Sequence, residues 1–280
     1  MPELFDEPLE DRVIEREAAR QVDYTVKAET SPKRVRAYCG GVPVADSRRA
    51  QLLLESRHMP VYYFPAEDVR MDLLTPSGKT RDDPVKGKAR FFGLRAGGRE
   101  IRDAAWTFED APPGAPAIAG HIAFYWKTMD AWFEEDDEIF GHPRDPYHRV
   151  DVLNSSRHIE VVVLGEVVAD TRRPRLLVET NIPPRWYIPK QDVRMDMLQP
   201  SPTSSQCPYK GRPVYWSVRV GDRLMHDVAW AYPYPIPECP KIENLVCFFD
   251  EQVDAVYVDG EKAPRPKTAW SRAPRITTVT

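Results

Sequence analysis

The sequence predicts a mostly β protein of two tandem compact antiparallel domains, joined by an ordered strap and preceded by a short N-terminal helix. Three observations carry this. A stretch from Val61 to Leu74 recurs from Arg185 to Leu198, each copy running through an aromatic pair, a Pro and an Asp-Val-Arg-Met-Asp core. The 280 residues include 28 prolines, which argues against long helices and for short strands joined by rigid turns. Between the prolines, apolar residues alternate or cluster in short β-branched runs.

Aligning Asp46 with Asp170 sets a register of 124 residues that holds without a gap. Arg48-Arg49 meet Arg172-Arg173, Glu55 meets Glu179, Tyr63 meets Tyr187 and Pro65 meets Pro189. Further on, Lys86-Gly87 meet Lys210-Gly211, Trp106 meets Trp230 and Asp130-Ala131 meet Asp254-Ala255. A period this long, seen twice, means two domains and not a solenoid. The chain therefore divides into an N-terminal arm with weak helical periodicity (1–32), a first repeat (33–133), a strap (134–157), a second repeat (158–258) and a C-terminal tail (259–280).

Within each repeat, Ile159 to Ala169 turns at Gly165 and reads as a hairpin, with Arg34 to Ala45 as its counterpart. A second hairpin runs from Tyr215 through Gly221-Asp222 to Trp230, matched by Phe91-Phe92 and Gly97-Gly98. The Asp192 to Met197 stretch alternates strictly and is expected as a strand, with Val193, Met195 and Met197 on one face and Asp192, Arg194 and Asp196 on the other. The strap is rich in His, Arg and Asp but poor in flexible Gly and Ser, which suits a segment laid on a domain surface. The tail is basic from Lys262 onward and is expected to be solvated, with Trp270 as an anchor.

Bulk properties exclude some functions. A net charge of -4 gives no general pull toward nucleic acid or an anionic membrane. No apolar run approaches the roughly 20 residues that span a bilayer, and the acidic N-terminus is unlike a secretory leader. Cys39, Cys207, Cys239 and Cys247 show no disulfide or metal spacing, so a reduced, cytoplasmic setting is expected. Cofactors stay open: no dinucleotide fingerprint and no four-ligand zinc spacing occur. The expected partner is a small molecule.

The pattern Val-Ala-Asp-Ser/Thr-Arg-Arg, then Glu, then Tyr-x-Pro-x-x-Asp-Val, then Cys207-Pro208-Tyr209-Lys210-Gly211, then Ala-Trp, resembles the domain of unknown function (DUF) family 427 across both repeats. The strap from His142 to Asp151 looks like that of tandem bacterial members. The resemblance implies a compact antiparallel β domain of tent-like form and brings a nucleotidyltransferase-like label, but no established activity. Repeat one departs from the pattern at Asp83, which stands where repeat two has Cys207.

Several residues suit chemistry, each with a plainer alternative. Cys207 near Lys210 has the setting of an activated nucleophile, although free Cys is commonly a small buried hydrophobe. Glu179 ends an apolar run, where desolvation would raise its pKa toward acid–base use; an ion pair with Arg173 is as simple. Asp192 and Asp196 flank Arg194, and such a face is commonly self-paired and solvated. Tyr187 and Trp230 either line a pocket or build the core. The expected site in repeat two comprises Glu179, Asp192, Cys207 and Lys210 as catalytic groups. Arg173, Tyr187 and Trp230 are its ligand-binding groups, with His142 and Arg144 from the strap. The reading is a small-molecule-binding protein, and if an enzyme, one using carboxylate, Tyr and Lys acid–base chemistry on a small polar metabolite. A non-catalytic interaction or binding module is the alternative. Nucleotidyl transfer ranks third, since neither Asp-x-Asp after Gly-Ser nor a phosphate-cradling loop is present.

Overall fold

Each repeat opens one strand earlier than the sequence suggests, as a computed structural model of the protein shows. The structure describes residues 24–110, 112 and 114–279. Repeat one contains β1 (Val26–Thr30), β2 (Val35–Cys39), β3 (Val42–Ser47), β4 (Gln51–Glu55), β5 (Val61–Pro65) and β6 (Leu74–Asp83). It continues through β7 (Gly87–Ala96), β8 (Arg99–Phe108), β9 (His121–Phe124), β10 (Ala131–Glu134) and β11 (Asp137–Ile139). Repeat two follows with β12 (Val150–Asn154), β13 (Ile159–Val163), β14 (Glu166–Thr171), β15 (Arg175–Glu179), β16 (Ile182–Tyr187) and β17 (Leu198–Ser201). Its remaining strands are β18 (Val214–Val220), β19 (Arg223–Ala231), β20 (Val246–Phe248), β21 (Ala255–Val258), β22 (Glu261–Lys262) and β23 (Ile276–Thr278).

The expected strap is not a separate segment. Residues 134–145 finish the first compact unit, where β11 pairs with β10. From Pro146 the chain belongs to the second unit, where β12 pairs with β15. The 124-residue register extends upstream of Lys33, so β12 is the counterpart of β1. β1 and β12 are half-exposed edge strands of five residues that each place only two apolar side chains on the aromatic core, Val26 and Ala28 or Val150 and Val152, so their alternation is too short to stand out in the charged sequence around them. Val26–Thr30 is a strand where a helix was expected, and the rest of that expectation, residues 1–23, lies outside the described residues.

In repeat one, seven antiparallel strands order as β1-β4-β5-β9-β8-β7-β6, and a smaller sheet orders as β11-β10-β2-β3. Repeat two keeps the order in two pieces, β12-β15-β16 and β20-β19-β18-β17. These are stitched by backbone hydrogen bonds between Ile188 and Val246 at 2.7 and 2.8 Å. The large sheet buries both faces. Along β5 every residue is buried, with Tyr62 and Phe64 in the core shared with β2 and β10, and Val61 and Tyr63 in a second, aromatic core with Phe91, Trp106 and Phe108. The strict side-chain alternation of a strand, filled on both sides, explains this continuous apolar run. In repeat two the second core gathers Leu177, Tyr187, Tyr215, Trp230 and Tyr232.

The Asp192 to Met197 stretch is not a strand. Two 3-10 turns, Lys190–Asp192 and Met195–Met197, flank Val193, which bridges Ala169. Pro189 fixes φ at -55°, and i→i+3 bonds close both turns, Val193 N–H to the Lys190 carbonyl and Met197 N–H to that of Arg194. The buried Val193 sits between half-buried Asp192 and exposed Arg194, so the burial alternation is genuine although its cause is different.

The tail is exposed or half-exposed along its described length, as expected, but it is tied down at several points. The Arg265 guanidinium donates to the carbonyls of Glu251 and Val253 at 2.6 Å each, and β23 pairs with β19. The Trp270 ring lies 6.3 Å from that of Phe249.

Candidate functional site

In β15, Leu177 and Glu179 share the inward face, so the strand delivers a carboxylate to the edge of the aromatic core. Glu179 is 6% exposed and Lys210 8% exposed. The Lys210 ammonium donates to Glu179 Oε2, and His148 Nε2 lies 3.0 Å from Glu179 Oε1. Lys210 is held by a tight turn in which Cys207 and Gly211 exchange backbone hydrogen bonds of 2.9 and 2.8 Å. Gly211 closes that turn at φ +105°, a conformation that favours glycine. His148, just before β12, stacks on Tyr209 with ring centroids 3.9 Å apart.

The electrostatics reverse the sequence expectation for Glu179. Burial pushes its pKa up, but the His148 hydrogen bond and the Lys210 charge outweigh burial and hold it below the usual carboxylate range. Burial likewise pulls Lys210 down, yet the charges of Cys207 and Glu179 leave it raised. Glu179 is thus an acceptor that stays ionised at neutral pH and orients its partners. Cys207 is the one partly exposed cysteine; Cys39, Cys239 and Cys247 are buried.

Repeat one builds the same pair with different neighbours. Lys86 donates to both carboxylate oxygens of Glu55 at 2.7 Å, and Tyr24, in the position of His148, donates to Glu55 Oε1. Asp83, in the position of Cys207, lies 2.9 Å from the Lys86 ammonium. The first lysine therefore holds two carboxylates, whereas a thiol takes the place of the second one beside Lys210.

The other expected site residues divide. Asp192 accepts hydrogen bonds from Thr171 Oγ1 (2.7 Å) and from the Arg173 guanidinium (2.9 Å), sharing no partner with Glu179. Repeat one makes the same tie between Ser47, Arg49 and Asp68, which marks it as a corner that both repeats share. Arg173 and Asp192 instead border an open hollow of about 600 Å³ with Asp170, Thr171 and Arg172. Asp196 pairs with its neighbour Arg194 on the surface. Tyr187 and Trp230 are core residues: Trp230 Nε1 donates to the Tyr187 hydroxyl at 3.2 Å, as Trp106 does to Tyr63 at 3.0 Å. His142 and Arg144 fall in the first unit.

One buried cluster escaped the sequence reading. Arg185 forms a two-pronged ion pair with Glu251, and its guanidinium lies 5.9 Å from the rings of both Trp230 and Trp270. Beside it, burial pushes the Asp250 carboxyl up to about 6, against the pull of Arg185. The available signal was Arg185 itself, a charge in a strand position where repeat one has Val61.

Fold and site together define a duplicated β protein with a buried Glu–Lys pair in each half. Residues 27–135 and 151–259 each match the family described as Domain of unknown function (DUF427), and the chain belongs to that family. Both matches begin at the first strand of a repeat. No curated protein matches the sequence.

Proposed function

We propose that the second repeat binds a small polar metabolite at Cys207, with Lys210, Glu179 and His148 as its polar machinery. The observation that carries this is the exchange of Asp83 for Cys207 within an otherwise duplicated Glu–Lys pair. Repeat one satisfies its lysine with two carboxylates, while repeat two sets a partly exposed thiol in that place. Glu179 accepts from His148 and fixes the imidazole, in the manner by which a carboxylate orients a catalytic base. In the enzymatic form of this reading, Cys207 adds to a carbonyl carbon as its C=O π pair moves onto oxygen, His148 Nδ1 takes the thiol proton, and the Lys210 charge steadies the resulting oxyanion.

A thermal-shift screen of the full chain against small metabolites tests the proposal, run in parallel on Cys207→Ala and His148→Gln. A metabolite that raises the melting temperature of wild type but not of Cys207→Ala supports it. Equal shifts in all three proteins would move the site elsewhere. The non-catalytic binding reading is favoured by repeat one, where the same pair is complete as an ion pair without a nucleophile. It predicts binding without turnover.

A further inference from the structure

Repeat two also has a small sheet, ordered β14-β13-β21-β22, and its outer face carries a polar cluster that the Cys207 centre does not use. Glu160 on β13 and Asp170 on β14 are direct partners across the strand pair. His158 stands two residues before Glu160, and residues two apart on an extended chain share a face. His158 Nε2 lies 2.7 Å from Asp170 Oδ1, and His158 Nδ1 lies 4.0 Å from Glu160 Oε2. One donor atom from each of the three residues lies within 4.8 Å of the other two. Metal–ligand bonds of roughly 2.0–2.2 Å place donors about 3–4 Å apart around a common ion, so small side-chain rotations complete the geometry.

The duplication supplies an independent comparison. The same three positions in repeat one are Arg34, Arg36 and Asp46. There Arg34 grips Asp46 with Nε 2.7 Å from Oδ1, and Arg36 reaches Asp136 at 3.0 Å. Both guanidinium groups there occupy the carboxylates that a cation would need, and neither can serve as a ligand. Repeat two replaces one with an imidazole and the other with a carboxylate, taking the three positions from +1 to -2 with the histidine neutral. Neighbouring Arg157 is occupied elsewhere, pairing with Asp259 at 2.7 Å.

Asp170 also borders the open hollow that Thr171, Arg172, Arg173 and Asp192 line. Three protein donors on a partly exposed face leave coordination positions open to solvent, the arrangement of an exchangeable or catalytic metal as distinct from a closed four-ligand structural site. One nitrogen and two carboxylates suit a first-row divalent cation. We propose that His158, Glu160 and Asp170 bind such a cation, zinc among them, with water or an anionic ligand completing the coordination from the solvent side.

Isothermal titration of the full chain with zinc chloride at pH 7 tests this, using wild type, Cys207→Ser and the double variant His158→Arg/Glu160→Arg. The Cys207→Ser protein removes a competing thiol ligand. The double variant installs the repeat-one residues, whose pairing with the facing aspartate is already seen at Arg34 and Asp46. His158→Gln serves if the double variant does not fold, as read by circular dichroism. Expected is one zinc per chain in wild type and Cys207→Ser, with affinity at least about tenfold weaker in the double variant or in His158→Gln. Unchanged affinity in a folded His158 variant, or no binding to wild type up to about 1 mM zinc, would overturn the proposal.

Discussion

Replacing Lys210 with methionine keeps a long apolar stem and removes the ammonium from Glu179. Both groups are more than nine-tenths buried, so the carboxylate cannot turn to bulk water. Breaking a buried pair from one side costs about 3–5 kcal/mol, because the remaining charge is left uncompensated. His148 stays as a partner of Glu179, which places the expected loss near the low end, about 3 kcal/mol. The control is Arg194→Ala, which breaks a pair whose side chains are 54% and 63% exposed and which should cost about 0–1 kcal/mol. Hydrogen exchange read by mass spectrometry on peptides from β15, β18 and β19 reports the second repeat separately from the first. A loss of 3 kcal/mol appears there as about a 150-fold loss of protection in the most slowly exchanging amides. Adding Glu179→Gln should restore part of it, since the orphaned charge is then gone. If Lys210→Met costs no more than Arg194→Ala, the buried pair does not hold the second repeat together.

Three further outcomes are expected. Glu179 has a folded pKa below its unfolded value near 4.5, so its contribution is complete above that pH and is lost as the pH falls through the folded value; acid titration should destabilise wild type more steeply below about pH 4.5 than Glu179→Gln. Asp250 has the opposite sign, a folded pKa of about 6 against 3.8 unfolded, so its ionised form opposes folding above pH 6 and the penalty vanishes below the unfolded value. Asp250→Asn should therefore gain up to about 3 kcal/mol at pH 8 relative to pH 3.5, measured by urea unfolding. A Cβ on Gly97 would meet the Gly40 carbonyl oxygen at 2.0 Å at a backbone φ of +53°, whereas Gly221 at φ +58° has nothing within 4 Å. Gly97→Ala should cost about 3 kcal/mol or more and Gly221→Ala about 1 kcal/mol, compared by calorimetry.

Much of the fold was legible because its signals are local. The Gly165 and Gly221 turns, flanked by β-branched and aromatic runs, mark hairpins by themselves, and the 124-residue register copies each to the other repeat. The errors have physical causes. Val26–Thr30 and Val150–Asn154 are five-residue, half-exposed edge strands whose alternation spans only Val26 and Ala28 or Val150 and Val152, too short to stand out from the charged residues around it. Consecutive 3-10 turns around Val193 produced the burial alternation of a strand, which wrongly set Asp192 beside Asp196. Glu179 and Lys210 were both singled out, but the sign of the Glu179 shift depends on partners 31 residues away on either side, His148 and Lys210, and burial alone points the wrong way. Arg185 and Glu251 meet across 66 residues, a contact that no local pattern encodes. The His158, Glu160 and Asp170 group arises from strand register, which a search for closely spaced ligands passes over.

The most direct test is alkylation of the native full chain with iodoacetamide at pH 7, read at each cysteine by mass spectrometry with and without a metabolite that stabilises wild type. Cys207 should be labelled alone, with Cys39, Cys239 and Cys247 spared, and the metabolite should slow its labelling at least about tenfold, as occupancy of a site at ten times its dissociation constant requires. A Cys207 as inert as the three buried thiols, or one labelled at the same rate with the metabolite bound, would contradict a ligand site at Cys207 and Lys210.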